Sequence, residues 1–262
     1  MKHGISGLST IPVRDEPREK SEMTTQILFG EHFEILEETP KWCRIRQAYD
    51  SYEGWIDQKM VTYISEEEFN TLENHDPFVT SDIFNIVQLD GDYNNSLIVA
   101  GSSLPFLNKE TGEFKLGGQT YRLQSQHLGN NHDNKRAMMI ENALKFFNSP
   151  YLWGGKTPLG IDCSGFTQVI YKIAGIKIPR DASQQVNVGE PITFVEEAKP
   201  GDLAFFDNDD GKITHVGIIW DKHKIIHSSG KVRIDNVDHS GIYNIDTKRY
   251  THRLRVIKRI IP

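Results

Sequence analysis

The sequence predicts a multidomain chain, two small β-barrels in the first half and an α+β domain in the second. Three observations predict it. At 262 residues the chain exceeds what one small core usually organises, since domains mostly hold about 100 to 200 residues. Up to about Gly129 the text consists of short strand-like runs separated by turn residues. Beyond it, two runs with helical spacing precede a series of strands.

From Leu8 to about Ile64 the strand-like runs are "QILFGEHFEILEE", "KWCRIRQAY" and "EGWIDQKMVTYI", with Asp50, Ser51 and Gly54 as turn residues between. Cys43 and Ile45 alternate onto one face of such a strand, which makes Cys43 a buried free thiol. "SEEEFNTLENHDP", polar and acidic, is a helical turn or linker closing at Pro77, so the first domain with its linker is placed at residues 1–76. A second all-β rhythm follows in "IFNIVQL", the turn "DGDYNN", "SLIVAGSSLPFL", the turn "NKETGEF" and "KLGGQTYRL", giving a second barrel at 77–130. No fixed-period repeat relates the two.

The loop "GNNHDN" opens the third domain, 131–262. In "KRAMMIENALKFFNS", Ala137, Ile140, Leu144 and Phe147 recur at helical spacing, and Pro150 ends the segment. Past Cys163, the residues Phe166, Val169, Ile170 and Ile173 repeat that spacing, with Gly175 where a helix ends. Cys163 therefore heads a helix, and Asp162 is its natural N-cap. "GDLAFFD", "ITHVGIIW", "KIIHSSG", "KVRIDNV" and "RLRVIKRII" complete the domain as an antiparallel sheet.

Composition narrows the function. Thirty basic residues stand against 36 acidic ones without long blocks, which argues against a nucleic-acid partner. No run approaches the roughly 20 apolar residues that span a bilayer. "MKHGISGLST" has no apolar stretch behind its Lys2 and His3, so no signal peptide is expected and the chain is placed in the cytoplasm, or in the periplasm or cell envelope if a leader has been removed.

That leaves Cys163. A free thiol near pKa 8.5 is only a few per cent thiolate at neutral pH, and the unpaired N–H groups of a helix N-terminus favour the anion. With a basic neighbour, such a cysteine is expected to ionise at roughly 3.5 to 7.5. His215 and His227 lie on strands joined by the short link "DKHK" and come together at the ends away from that turn, giving a Cys–His–His line of nucleophile, base and orienter. His223 belongs in the turn, exposed. A zinc site built from Cys163, His215, His223 and His227 is the rival use of these residues, but no Cys-x-x-Cys or His-Glu-x-x-His accompanies them.

"PYLWGG", "DCSGF", "PRDASQQ", "KPGDLAFF" and "HVGIIW…IIHSSG", in that order over roughly residues 132 to 262, resemble the NlpC family of bacterial cell-wall cysteine peptidases. The resemblance implies a papain-like α+β fold, cleavage of amide bonds in peptidoglycan stem peptides and no metal or organic cofactor. It also implies Cys163 as nucleophile, His215 as base, His227 as third polar residue and Tyr151 as oxyanion donor. "SEMTTQILFGE", "YEGWI" and "AGSSLPFL" resemble the bacterial SH3-like domains of a subgroup that cleaves γ-D-glutamyl to diamino acid bonds in peptides with a free L-alanine amine. By that resemblance Tyr52 reaches the site, although packing explains a barrel tyrosine equally well. Asp162, Ser164 and Ser183 hold substrate, and Glu22 or Glu31 pairs with the amine. Trp153 either lines the cleft or only turns the chain. The expected partner is a stem peptide such as L-Ala-γ-D-Glu-meso-diaminopimelate; hydrolysis of intact peptidoglycan and a catalytically silent wall-binding module are the alternatives.

Overall fold

The computed structural model describes residues 2–91, 95–124 and 134–261. Most of the loop expected at 129–134, and residues 92–94 of the turn expected at 90–95, lie outside the described residues. The chain divides into two compact units, Met1–Asn130 and Asn131–Pro262.

In the first unit β1 (Lys2–Ile5), β2 (Thr10–Arg14), β3 (Met23–Leu28), β4 (His32–Glu38), β5 (Trp42–Gln47), β6 (Glu53–Asp57) and β7 (Thr62–Ile64) form an antiparallel sheet in the order β3-β2-β6-β5-β4-β1-β7. Alternation buries Phe33 and Ile35 of β4 against Cys43 and Ile45 of β5. Cys43 is the buried free thiol its strand position implied. The acidic segment that follows is a helix, α1 (Glu66–Glu73), capped where the Ser65 hydroxyl accepts from the Glu68 N–H at 3.1 Å. It holds because Phe69 and Leu72 are buried under it.

The next strands are β8 (Phe78–Val79), β9 (Phe84–Leu89), β10 (Asn95–Val99), β11 (Ser103–Leu104), β12 (Glu113–Leu116) and β13 (Gln119–Leu123). They make a four-stranded sheet, β10-β9-β13-β12, and a two-stranded ladder, β11-β8. Among the described residues this sheet does not close on itself. Its apolar face is completed by Ile5, Phe29 and Leu72 from the preceding segment. The backbones meet directly, the Ser103 N–H donating to the Phe29 carbonyl at 2.8 Å. Gly30, at φ 76°, permits that approach, since a Cβ there would lie 1.8 Å from the Ser103 carbonyl oxygen. The first sheet thus keeps its own core around Phe33 and Ile45, and lends Ile5 and Phe29 to the core of the second.

In the second unit α2 (Lys135–Lys145) forms where helical spacing placed it, but it turns a different face inward. Met139, Ala143 and Phe146 are buried, while Leu144 and Phe147 are 37% and 48% exposed. The segment carries two apolar stripes at helical spacing, and packing on the next helix selected the other one. A short hairpin, β14 (Lys156–Thr157) and β15 (Gly160–Ile161), leads into α3 (Cys163–Ile173), followed by α4 (Ala182–Gln185). α3 buries Phe166, Val169 and Ile170 as expected. It ends in a Schellman motif: Ile176 N–H donates to the Tyr171 carbonyl, Gly175 N–H to that of Lys172, each at 2.9 Å, with Gly175 at φ 71°.

The remaining strands are β16 (Glu190–Ile192), β17 (Leu203–Asp207), β18 (Ile213–Asp221), β19 (Lys224–Ser229), β20 (Lys231–Asp238), β21 (Gly241–Asn244) and β22 (Arg249–Arg259). Their order is β16-β22-β17-β18-β19-β20-β21, and β21 also pairs with β22. Six strands thus close into a ring with β16 attached outside it. α3 packs on β18 and β19, and α4 on β18.

Candidate active site

Cys163 opens α3 with Asp162 as N-cap. The Asp162 carboxylate is a hub: Oδ1 accepts from Gly165 N–H at 2.6 Å and Oδ2 from Gly154 N–H at 2.8 Å. Buried Arg180 adds two charge-assisted bonds, Nη1 to Oδ1 at 3.0 Å and Nη2 to Oδ2 at 2.6 Å. Arg180 also donates to the Ser164 hydroxyl at 2.7 Å, which donates in turn to Asp162 Oδ1 at 3.3 Å. Asp162 and Ser164, implied as substrate contacts, therefore have their polar atoms engaged within this network. Gly165 makes it possible, since a Cβ there would stand 2.3 Å from the Gly155 carbonyl oxygen of the passing loop.

The backbone N–H groups of Val216 and Ser164 favour the Cys163 thiolate. Burial nevertheless pushes the thiol up to about 12, and the Asp162 carboxylate adds to the rise; the two N–H groups and Arg180 oppose it more weakly. The low-pKa thiolate expected from the helix N-terminus is thus corrected: desolvation outweighs the helix end, and the resting group is a neutral thiol.

His215 precedes Val216 on β18, and its Nε2 lies 2.8 Å from Nδ1 of His227 on β19. In the β18–β19 register His227 faces Gly217 and not His215. A Cβ on Gly217 would come within 2.8 Å of the His227 Cβ, so the bare glycine lets the His227 ring lean diagonally to His215. His227 Nε2 is 3.0 Å from Oδ2 of Asp235 on β20. Three adjacent strands thus contribute one side chain each to a diagonal line on a single face. Burial lowers the pKa of His215 well below its ordinary value, with repulsion from His227 and His252 assisting, and burial lowers that of His227. Both imidazoles rest neutral.

Several of these residues carried no signal that the sequence reading used. Asp235 sat in "KVRIDNV", taken only as a strand; an acid two positions from an arginine on the strand after His227 is the pattern that marks it. His252 of β22 stacks on His215 with ring centroids 4.2 Å apart, and burial brings its pKa down to about 4. It reaches the site from β22, which lies beside β17 and so two strands from β18, a neighbourhood that strand-by-strand reading does not reveal. Ser228, beside His227, donates to the Ile161 carbonyl at 2.7 Å and ties the histidine strand to the segment entering Cys163.

Burial pushes the Tyr151 phenol up to about 12, and the negative charge of the nearby Asp162 carboxylate adds to the rise, so it keeps its proton as a donor. Its N–H is fixed on the Gly230 carbonyl at 3.0 Å. Trp153 is 60% exposed, Ser183 is exposed on α4, and His223 is exposed in the β18–β19 turn as expected. Among the described residues no group of three or more His, Cys, Asp or Glu side chains is arranged to hold a metal ion. In the first unit Glu22 is exposed, Tyr52 is half-buried, and buried Glu31 accepts from the Leu28 N–H at 2.7 Å.

A cysteine at the head of a helix, packed on an antiparallel sheet that supplies a histidine line, defines a papain-like thiol hydrolase. Comparison with known proteins makes the assignment narrower. The NlpC/P60 family matches residues 148–253, and the bacterial dipeptidyl-peptidase SH3 domain matches residues 13–60. A gamma-D-glutamyl-L-lysine dipeptidyl-peptidase of Bacillus subtilis (strain 168) is 32% identical over 217 residues, covering 78% of this chain and 71% of the relative. Dipeptidyl-peptidase 6 of Lysinibacillus sphaericus is 28% identical over 246 residues, covering 85% and 87%. The crystal structure of an NlpC/P60 family protein from Bacillus cereus ATCC 10987 superposes with a TM-score of 0.81 at 21% identity, covering 99% of this chain and all of that one, which shows the shared fold. The chain belongs to the NlpC/P60 family of cysteine peptidases and carries an N-terminal SH3-like domain. No helix among the described residues is long and apolar enough to cross a membrane.

Proposed function

We propose that this protein hydrolyses the bond between γ-D-glutamate and the diamino acid of peptidoglycan stem peptides whose N-terminal L-alanine is free. The observation that carries the reading is Cys163 at the head of α3, a helix packed on the strands that hold His215 and His227, whose imidazoles lie 2.8 Å apart. The names of the relatives support the bond cleaved. Because thiol and imidazole rest neutral, His215 takes the Cys163 proton as sulfur attacks the carbonyl. The Tyr151 phenol and the Cys163 N–H serve the developing oxyanion. The imidazolium of His215 then protonates the leaving amine, and water hydrolyses the thioester with His215 as base.

For substrate we assign Ser183 and Trp153 to the cleft, with Asp162 and Ser164 shaping it from behind. Tyr52, together with Glu22 or Glu31, is proposed to serve the free amine. The segments 1–76, 77–130 and 131–262 are proposed as the functional division, with 77–130 a second SH3-like module. An ammonium-binding carboxylate left unpaired by an N-acylated substrate would penalise glycan-linked stems.

The test is product analysis by mass spectrometry with L-Ala-γ-D-Glu-meso-diaminopimelate, its L-lysine counterpart and the N-acetylated forms. Cleavage of the free-amine peptides alone, abolished in Cys163→Ala, is expected. Equal cleavage of acetylated peptides would instead favour hydrolysis of intact peptidoglycan.

A further inference from the structure

Asp235 is held by four donors. Arg233 donates through Nε to Oδ2 at 2.6 Å and through Nη2 to Oδ1 at 2.9 Å, the Ile245 N–H donates to Oδ1 at 3.0 Å, and His227 Nε2 approaches Oδ2 at 3.0 Å. Asp246 braces Arg233 from the far side at 2.8 Å. The Asp235 side chain is fully buried, and its hydrogen bonds hold the carboxyl below the usual carboxylate range against the opposing effect of burial. An ionised carboxylate accepts only.

That fixes the protons along the line. His227 must donate from Nε2, so in its neutral form Nδ1 carries the lone pair. The 2.8 Å contact to His215 then needs its hydrogen from His215 Nε2. His215 is left with its lone pair on Nδ1, the nitrogen turned away from His227. We propose that Asp235, clamped by Arg233, is a positioning residue that sets the tautomers of both imidazoles and so makes His215 Nδ1 the acceptor for the thiol proton. The proposal deepens the reading of the site as a Cys–His–His peptidase and rests on it for its catalytic consequence, though not for the proton arrangement itself.

Asp235→Asn tests it. Every donor around the carboxylate has a fixed polarity except His227, which alone can turn from donor to acceptor. An amide NH2 at the Oδ2 position therefore favours the His227 tautomer protonated on Nδ1, which in turn forces His215 to protonate Nδ1. Nitrogen-15 NMR of imidazole-labelled protein near pH 7 should show, in the native chain, a protonated His227 Nε2 and a lone pair on His215 Nδ1, with both reversed in the variant. A native spectrum with His215 Nδ1 protonated would overturn the proposal even if the variant failed to fold, and so would a folded variant with unchanged tautomers. With a cleaved stem peptide in hand, kcat should fall by about 10³- to 10⁴-fold, the scale of a wrong tautomer in a Ser–His–Asp triad, with KM little changed and partial rescue by Asp235→Glu. A peptide that is not cleaved by the native protein counts against the peptidase reading, while the nitrogen shifts still decide the role of Asp235.

Discussion

At the scale of the residue, Cys163 shows how burial and secondary structure compete. Two backbone N–H groups and Arg180 draw the thiol toward ionisation, but burial and the Asp162 carboxylate at its flank act more strongly. The consequence is measurable by alkylation with iodoacetamide, followed at Cys163 by peptide mapping. A neutral thiol gains thiolate about tenfold per pH unit below its pKa, so the rate should climb steadily from pH 6 to 9. A plateau already reached below pH 7 would mean a thiolate–imidazolium pair. The helix-head position of Cys163 and the meeting of His215 with His227 were legible because each lies in a short phrase with local meaning. Asp235 and His252 were not, since their parts depend on which strands become neighbours, a non-local property.

At the scale of the element, the head of α3 is held by groups far apart in sequence. Asp162 caps the helix, restrains the Gly154 loop and pairs with Arg180. A buried ion pair adds little net stability, yet removing one partner strands the other charge. Arg180→Ala should therefore destabilise the second unit by about 3–5 kcal/mol, read as a shift of the urea midpoint with unchanged slope. A shift below about 1 kcal/mol would mean that the pair is solvated or replaceable. Helix positions were readable from spacing and caps, as α3 illustrates from Asp162 to Gly175. The inward face of α2 was not, because two apolar stripes satisfied the same period and only the neighbouring helix distinguishes them.

At the scale of the whole molecule, two buried imidazoles and one half-buried imidazole make stability depend on pH. His215, His227 and His252 all have pKa values below the ordinary 6.5 in the folded state, His252 at about 4. The unfolded chain binds these protons first, so stability is full above pH 6.5 and is lost as pH falls from there toward 4. Each such group removes up to about 1.4 kcal/mol per pH unit within its window. The Tm of the second unit should accordingly drop by several degrees between pH 7 and pH 5, followed by calorimetry; a flat profile would mean that the imidazoles are charged or hydrated in the folded protein. The β-then-α+β order of the chain was legible from the rhythm of turns and apolar runs. The contribution of Ile5 and Phe29 to the core of the second sheet was not, since both look like ordinary strand residues until Val87 and Phe114 arrive beside them.

Ring closure in the second unit also bears on how the protein behaves in company. Among the described residues, with β21 joined to β22, the terminal strand of that sheet is β16, and it is three residues long. Its central residue is Pro191, which has no N–H to offer, beside the charge of Glu190. A foreign strand finds almost no template there, so little edge-to-edge stacking through β16 is expected even at high concentration.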